Sequence, residues 1–237
     1  PDEVTPSPDS VDVWKCSLDL EDNQVTELYE LLSDEERARA EKLKIPEKRN
    51  QFVITRGRLR QILGNCLNTD PDVLGFDYAL HGKPLLGEIW QGCGLLFNVS
   101  HSHDLALIAV SLEHPVGIDI EKIQHDRDHV TLARRFFSRQ EQADLLALPT
   151  GERTRAFHAC WTRKEAFVKA VGDGITWGLD TFDVSVHPDE IRPSIHIHAS
   201  SAKDRTWSVL NIPTGDDYMA ALAVAGDAIS VRCRVLE

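Results

Sequence analysis

Two carboxylates occupy alternate positions of the otherwise apolar segment GIDIEKI, residues 117–123. Side chains two apart in a strand share a face, so Asp119 and Glu121 project together while Ile118 and Ile120 face the other way. Two acids on a strand are more often simply its polar face. A further carboxylate beside them would instead indicate a metal site.

The segment CWTRKEAFVKAVGDGI, residues 160–175, supplies that carboxylate. On a helix, Trp161, Glu165 and Lys169 recur every four residues and lie in one row. A Glu-to-Lys pair at this spacing is commonly a surface salt bridge that contributes about 0.2–0.5 kcal/mol. If Glu165 meets the strand carboxylates, however, the three form an all-oxygen set of the kind that Mg²⁺ prefers. A metal beside Lys169 suggests a phosphate substrate.

A third polar stretch is LLFNVSHSHDLALIAV, residues 95–110. We predict that Ser100, His101 and Ser102 form a loop between two strands, where hydroxyls, an imidazole and turn amides can bind phosphate oxygens. A Ser-His pair could instead indicate a hydrolase. Neighbouring side chains in an extended segment point apart, however, and NVSHS is not the G-x-S-x-G elbow. Upstream, HGKPLL places Lys83 in a Gly-Pro turn, which alone indicates only a loop cation.

Together these motifs resemble one enzyme family. GKP, FNVSHS, GIDIE and WTRKEAFVKAVG, in this order and spacing, are similar to the signature motifs of the 4'-phosphopantetheinyl transferases of the surfactin-synthetase type. The resemblance implies two similar α+β lobes related by a pseudo-twofold axis, with coenzyme A and Mg²⁺ in the cleft between them. It also implies transfer of the phosphopantetheine arm from coenzyme A to a serine of an acyl or peptidyl carrier protein, releasing adenosine 3',5'-bisphosphate.

The resemblance further implies roles for individual residues. The metal ligands would be Asp119, Glu121 and Glu165, and Lys169 would contact the pyrophosphate. Ser100 and His101 would hold phosphates of coenzyme A, His101 the 3'-phosphate, with Lys83 and Pro84 beside the adenine. Further phosphate contacts would come from Arg49 and Arg56, and as a weaker match from Lys42. Glu165 is the candidate general base, directly or through a water, with Lys169 and His101 assisting the transfer.

Two rival functions use the same residues. A magnesium-dependent pyrophosphohydrolase would attack the same anhydride with water alone. A non-catalytic coenzyme A binding protein would need neither Glu165 nor a metal, and the complete set of three acids disfavours it.

Local patterns predict the elements that position these residues. Capping boxes at Ser33 with Glu36 and at Ser138 with Glu141 predict helix starts, and apolar stripes predict helices over 49–64 and 153–172. Alternation and β-branched residues predict eight strands, at 74–80, 95–99, 105–112, 116–121, 181–186, 194–198, 206–211 and 218–224. The mixture is α+β.

An internal repeat is also indicated. Asn98 and Asp104 match Asn211 and Asp217 at an offset of 113, and the helices before them match at an offset of 105. We predict a duplicated helix-plus-hairpin lobe, with lobes at 1–115 and 116–237 and a cleft between them. A chain with both lobes needs no partner to build the cleft, so we expect a monomer.

Composition limits the remaining possibilities. The net charge of -12 over 237 residues argues against a general nucleic-acid binder. No apolar run approaches the roughly 18 residues of a membrane span, and no signal peptide is visible, so we expect a cytoplasmic protein. Five scattered cysteines suggest neither disulfides nor zinc. A basic stretch between Arg37 and Arg60 is either a solvated helical face or a docking surface for an acidic carrier.

Overall fold

The computed structural model describes residues 6–79, 82–172, 178–198, 205–227 and 229–236. Its helices are α1 Asp22–Glu30, α2 Asp34–Lys42, α3 Pro46–Leu67, α4 His129–Phe136, α5 Arg139–Ala147 and α6 Arg153–Val171. Its strands are β1 Ser10–Ser17, β2 Phe76–Tyr78, β3 Pro84–Leu86, β4 Leu95–Ser102, β5 Leu105–Leu112, β6 Val116–Lys122, β7 Phe182–Val184, β8 Ile195–Ile197, β9 Trp207–Asn211, β10 Tyr218–Ala225 and β11 Ser230–Leu236. The α+β class is confirmed, as is each predicted helix and strand to within a few residues. The end of the predicted strand 74–80 and the end of the motif after Gly172 lie outside the described residues.

The strands form two main sheets. One has the order β11-β1-β5-β4, the other β6-β10-β9, and β2-β3 and β7-β8 are separate hairpins. Apolar residues of β1, β5, β6 and β10 form a shared core between the main sheets, and Ile118 and Ile120 belong to it. The opposite face of β6 is therefore the one that carries Asp119 and Glu121, as the alternation predicts.

The strand pairings repeat at the offsets that the sequence shows. Ser17 pairs with Leu105 in the first sheet, and Lys122 pairs with Tyr218 in the second, which are offsets of 105 and 113. Two backbone hydrogen bonds repeat in the same way: Leu18 N donates to Asp104 O and Ile123 N donates to Asp217 O, both at 2.8 Å. The predicted internal repeat is confirmed by these pairings.

The C-terminal strand departs from a simple division into two halves. β11 pairs in parallel with β1, from Ser10 opposite Ser230 to Cys16 opposite Leu236. The buried Asp12 on β1 accepts hydrogen bonds from Arg232, at 2.8 and 2.9 Å, and from Arg234 at 3.2 Å. The end of the chain thus completes the first sheet, while the division at residue 115 stays a prediction.

Each of the two predicted capping boxes also takes part in a buried ion pair, one in each repeat. In α2, Glu36 accepts from the Ser33 amide and from Arg60 Nε at 2.7 Å. In α5, Glu141 accepts from the Ser138 amide and pairs with Lys164 Nζ at 2.6 Å. Each glutamate therefore joins a short helix to the long helix of its own repeat.

Two predictions are wrong. Ser100, His101 and Ser102 are not a loop but the last residues of β4; the chain turns at His103, whose φ is 53°. The basic stretch is not one surface either, because Arg56, Arg58 and Arg60 are at most 8% exposed. Sequence charge alone missed the partner Glu36, which pairs with Arg56 and Arg60.

Candidate active site

The site lies where β4 runs beside β6, at the seam between the repeats. Asn98, Ser100 and Ser102, hereafter the seam ladder, point from β4 toward the edge of β6. Their side-chain oxygens accept the amide hydrogens of Ile118 at 2.8 Å, Ile120 at 3.4 Å and Lys122 at 3.1 Å, respectively. The seam ladder thus satisfies amides that an edge strand would otherwise leave unpaired. This explains why polar residues alternate along a buried strand.

The two hydroxyls of the seam ladder also contact the β6 carboxylates. Ser100 Oγ donates to Asp119 Oδ1 at 2.9 Å, and Ser102 Oγ donates to Glu121 Oε2 at 3.2 Å. Ser100 was predicted to hold a coenzyme phosphate; in the structure its hydroxyl points instead into the seam. Its predicted phosphate contact remains a prediction.

Helix α6 packs closely on β6 because of a glycine. A Cβ on Gly117 would lie 2.1 Å from Ala166 O and 2.3 Å from Ala170 N, so no other residue fits here without moving the helix. This approach brings Lys169 onto the strand, where its Nζ donates to Asp119 Oδ1 at 2.6 Å, Ser100 Oγ at 3.2 Å and Ile118 O at 3.3 Å. Lys169 therefore pairs with Asp119, and the surface pair with Glu165 considered from spacing does not describe it.

The three predicted metal ligands influence one another electrostatically. Burial and the charge of Asp119 raise the pKa of Glu121, with a smaller contribution from Glu165. Burial and Asp119 likewise raise the pKa of Glu165, against the opposing effect of Lys169. Asp119 is 4% exposed, and its Oδ2 is buried without a hydrogen-bond partner among the described residues. A buried acceptor beside two carboxylates that resist ionisation fits a divalent cation.

The arrangement is not a finished cage. Within the described ranges, no three His, Cys, Asp or Glu side chains are grouped so that they could hold a metal ion as they stand. The ammonium of Lys169 is the cation that contacts Asp119 in the structure.

A cavity of about 380 Å³ opens on the other side of β4. His101 lines it, since adjacent strand residues point to opposite faces. Pro84 from β3 and Arg56 from α3 line it too, so three predicted coenzyme contacts share one cavity. Burial and the charges of Lys48 and Lys169 lower the pKa of His101. The cavity is therefore electropositive, which suits a phosphate ligand.

Contacts with neighbouring side chains fix the guanidinium of Arg56 in the wall of this cavity. Its guanidinium stacks on the rings of Phe76 and Tyr78 at 5.0 and 5.8 Å, and its Nε lies 3.3 Å from Glu36 Oε1. Its Nη1 is buried and has no hydrogen-bond partner among the described residues. A fixed guanidinium with an unused donor is well suited to a phosphate oxygen.

Two further cations line the cavity that sequence reasoning did not place there. Lys48 and Arg39 both contribute to its walls. Arg49 instead lines a different cavity, against Tyr29 of α1, so the structure does not bring it to Arg56 and His101. Lys42 is exposed and is not among the residues of either cavity in the described chain. A sequence pattern could have identified Lys48 as a cavity residue. The helical spacing of one face includes Lys48, Phe52, Arg56 and Leu59.

Lys83 connects the β2-β3 hairpin to α6. Its Nζ donates to the backbone oxygen of Lys169 at 2.7 Å, near the C-terminal end of that helix. Burial and the charge of Lys169 lower the pKa of Lys83 to about 8. Lys83 precedes β3 and lines a different cavity from Pro84, and of these two residues Pro84 is the one that lines the electropositive cavity.

On the far side of Glu121, toward Trp161, lies a smaller cavity of about 150 Å³. Its walls include His129 and His158, whose rings are 4.9 Å apart. Burial, His158 and nearby cations lower the pKa of His129 to about 4. Sequence reasoning missed both imidazoles, because nothing in the order of the chain indicates that residues 29 apart meet here.

Comparison with known proteins gives this arrangement its family. A model of the 4'-phosphopantetheinyl transferase superfamily matches residues 115–223, which include β6 and α6. The 4'-phosphopantetheinyl transferase HetI of Nostoc sp. is 39% identical over 226 residues, covering 95% of this chain and 92% of HetI. The chain belongs to this superfamily. Sfp of Bacillus subtilis is 34% identical over 170 residues, covering 67% of this chain and 73% of Sfp. The putative transferase slr0495 of Synechocystis sp. is 34% identical over 217 residues, covering 89% and 85%.

These relatives support the Sfp-like type that the motifs suggested, and the chain is accordingly an enzyme of the phosphopantetheinyl transferase class. Within the described part of the chain, no helix has the length and apolar composition needed to cross a bilayer.

Proposed function

We propose that this protein moves the 4'-phosphopantetheine arm from coenzyme A to a serine hydroxyl of an apo acyl or peptidyl carrier protein in a magnesium-dependent reaction. The serine oxygen bonds to the phosphorus that carries the pantetheine, and the bond from that phosphorus to the bridging oxygen breaks. The bridging oxygen leaves with adenosine 3',5'-bisphosphate. The observation that carries the proposal is the pair of carboxylates, Asp119 and Glu121, held by β4 at the seam, with the electropositive cavity on the other face of the same strand.

Three acidic residues would hold the metal: Asp119, Glu121 and Glu165, hereafter the acidic cluster. The unpartnered Asp119 Oδ2 and the raised pKa values of the two glutamates support this assignment. When bound, Mg²⁺ supplies electrostatic stabilisation of the charge that develops on the leaving phosphate. Lys169, whose side chain is 30% exposed, adds a fixed positive charge at the same point.

Glu165 is the proposed base for the serine proton. It lies one helical turn from both Lys169 and Trp161, and its carboxylate would take the proton directly or through a water. A positioned base typically contributes about 10²–10⁴-fold to the rate.

The electropositive cavity would bind the nucleotide half of coenzyme A. His101 and Arg56 would contact phosphate oxygens, His101 the 3'-phosphate, and Pro84 would lie against the adenine. Lys48, which lines this cavity, would make the phosphate contact predicted for Arg49. Lys83 would contribute its charge from the opposite side of the hairpin.

The proposed partner is an acidic carrier protein, and we propose a cytoplasmic monomer that binds neither nucleic acid nor membranes. Of the arginines suggested for carrier docking, Arg39 also lines the coenzyme cavity. Arg37 lies outside it and donates to Glu30 O at 2.7 Å. Of these two arginines, we therefore expect only Arg37, when replaced, to change the capture of the carrier without changing the binding of coenzyme A.

Replacing the acids tests the assignment. Asp119→Ala, Glu121→Ala and Glu165→Ala should each lose most transfer activity while staying folded, and Asp126→Ala, on the exposed loop that follows, is the matched control. Near wild-type transfer by all three variants in limiting Mg²⁺ would remove the metal assignment. Release of adenosine 3',5'-bisphosphate without any carrier would favour the rival pyrophosphohydrolase.

A further inference from the structure

The carboxylates at the seam differ in how firmly they are held. Asp119 accepts from both Ser100 and Lys169. For Glu121, the hydroxyl of Ser102 is the one hydrogen-bond donor to its side chain within the described ranges. A glutamate side chain has three rotatable bonds, so a single contact decides where its oxygens point.

Ser102 is arranged to give its proton to Glu121. It is 8% exposed, and its oxygen accepts the Lys122 amide hydrogen at 3.1 Å. The hydroxyl proton is then left for Glu121 Oε2, at 3.2 Å, or for His103 Nδ1, at 3.4 Å. An ionised carboxylate is the stronger acceptor of the two.

The backbone of Ser102 is fixed from both repeats. In the turn that follows it, His103 O accepts from Gln51 Nε2 on α3 at 2.7 Å. The carboxylate of Asp104 accepts from the hydroxyl of Tyr218 on β10. The donor to Glu121 therefore rests on rigid elements of both repeats, as a precise ligand orientation requires.

We propose that Ser102 is a positioning residue that orients the Glu121 carboxylate for the metal; this inference rests on the metal site of the proposed function. Outer-shell partners of metal ligands typically change metal affinity or activity by about 10–100-fold when removed. Ser102 does this through Glu121 and contacts no substrate atom itself.

The test measures metal binding directly. Mn²⁺ binding to the full chain with coenzyme A present is followed by electron paramagnetic resonance for wild type, Ser102→Ala and Ser102→Thr. Ser102→Ala should raise the Mn²⁺ dissociation constant about 10–100-fold, and Ser102→Thr, which keeps the hydroxyl, should restore it. The control is Ser111→Ala: Ser111 is likewise a buried strand serine, but its hydroxyl donates to His114 O at 2.6 Å, away from the site. In activity assays, the Mg²⁺ requirement should rise while the KM for coenzyme A stays unchanged.

Failure of this inference and failure of the metal site give different results. Unchanged Mn²⁺ affinity in folded Ser102→Ala, with Asp119→Ala still losing the ion, overturns the role of Ser102 alone. If wild type binds no Mn²⁺, the metal site and this inference fall together. Should Ser102→Ala not fold, Ser102→Cys keeps the size with a much weaker donor, and wild-type affinity in that variant overturns the inference.

Discussion

Replacing two lysines of the same helical motif should have different main effects, one on stability and the other on catalysis. Lys164 is 0% exposed, and its Nζ is 2.6 Å from each of three oxygens, Glu141 Oε1, Leu179 O and Phe182 O. The ammonium also lies 4.2 Å from the centre of the Phe182 ring. Lys169, five residues later, is partly exposed in the active site. We expect Lys164→Met to lower the thermal stability of the protein and Lys169→Met to abolish its catalytic activity.

The size of the Lys164 effect follows from the charge that is left behind. Glu141 is 1% exposed, so Lys164→Met leaves a buried carboxylate without its cation, which costs about 3–5 kcal/mol. For a chain of this length each kcal/mol lowers Tm by about 2–4 °C, so we expect a loss of about 6–20 °C. Adding Glu141→Gln should recover part of it, because no unpaired charge then remains.

Differential scanning calorimetry and transfer assays on the same samples separate the two lysines. Well below its Tm, Lys164→Met should keep most of its kcat, whereas Lys169→Met should lose it. The Tm of Lys169→Met should fall less than that of Lys164→Met, because Lys169 is 30% exposed and Ser100 still donates to Asp119. A Tm for Lys164→Met within about 2 °C of wild type, as for a neutral surface substitution, would refute the buried-pair reasoning.

Three further predictions concern coenzyme A. His101→Ala should weaken coenzyme A by about 10–150-fold, from a charge-assisted hydrogen bond of about 1.5–3 kcal/mol, but should hardly affect 3'-dephospho-coenzyme A in calorimetry; equal losses would give His101 another role. Lys83 has a pKa near 8 and loses its charge as the pH rises through that value, so the KM for coenzyme A should increase above pH 8 in wild type but not in Lys83→Arg. Identical pH profiles would show that the charge of Lys83 does not contribute to coenzyme A binding. Lys48→Ala should weaken coenzyme A roughly fivefold, about 1 kcal/mol, while replacing the adjacent and also exposed Arg49 by Ala should not; the reverse order would place the nucleotide in the cavity against α1.

Local patterns carried much of the fold and of the acidic cluster. The strand with Asp119 and Glu121 was predictable because its period of two needs no knowledge of the neighbours. The helix starts at Ser33 and Ser138 were predictable for the same reason, since a capping box is complete within four residues.

What sequence could not show depends on contacts between distant parts of the chain. Ser100 and Ser102 looked like a loop because the partners of their hydroxyls are the amides of β6, twenty residues away and across the seam. Arg60 looked like a surface charge because its buried ion-pair partner, Glu36, lies 24 residues earlier in the chain. Strand β11 was not predicted at all, and its pairing with β1 joins the two ends of the chain.

The central claim is that the protein transfers phosphopantetheine to a carrier serine at the site on the seam between its repeats. The most direct measurement is the intact mass of a panel of apo acyl and peptidyl carrier proteins after incubation with this protein, coenzyme A and Mg²⁺. We expect at least one carrier to gain the mass of one phosphopantetheine group, on its serine, with wild type but not with Glu165→Ala. Unchanged carrier masses alongside hydrolysed coenzyme A would contradict the account.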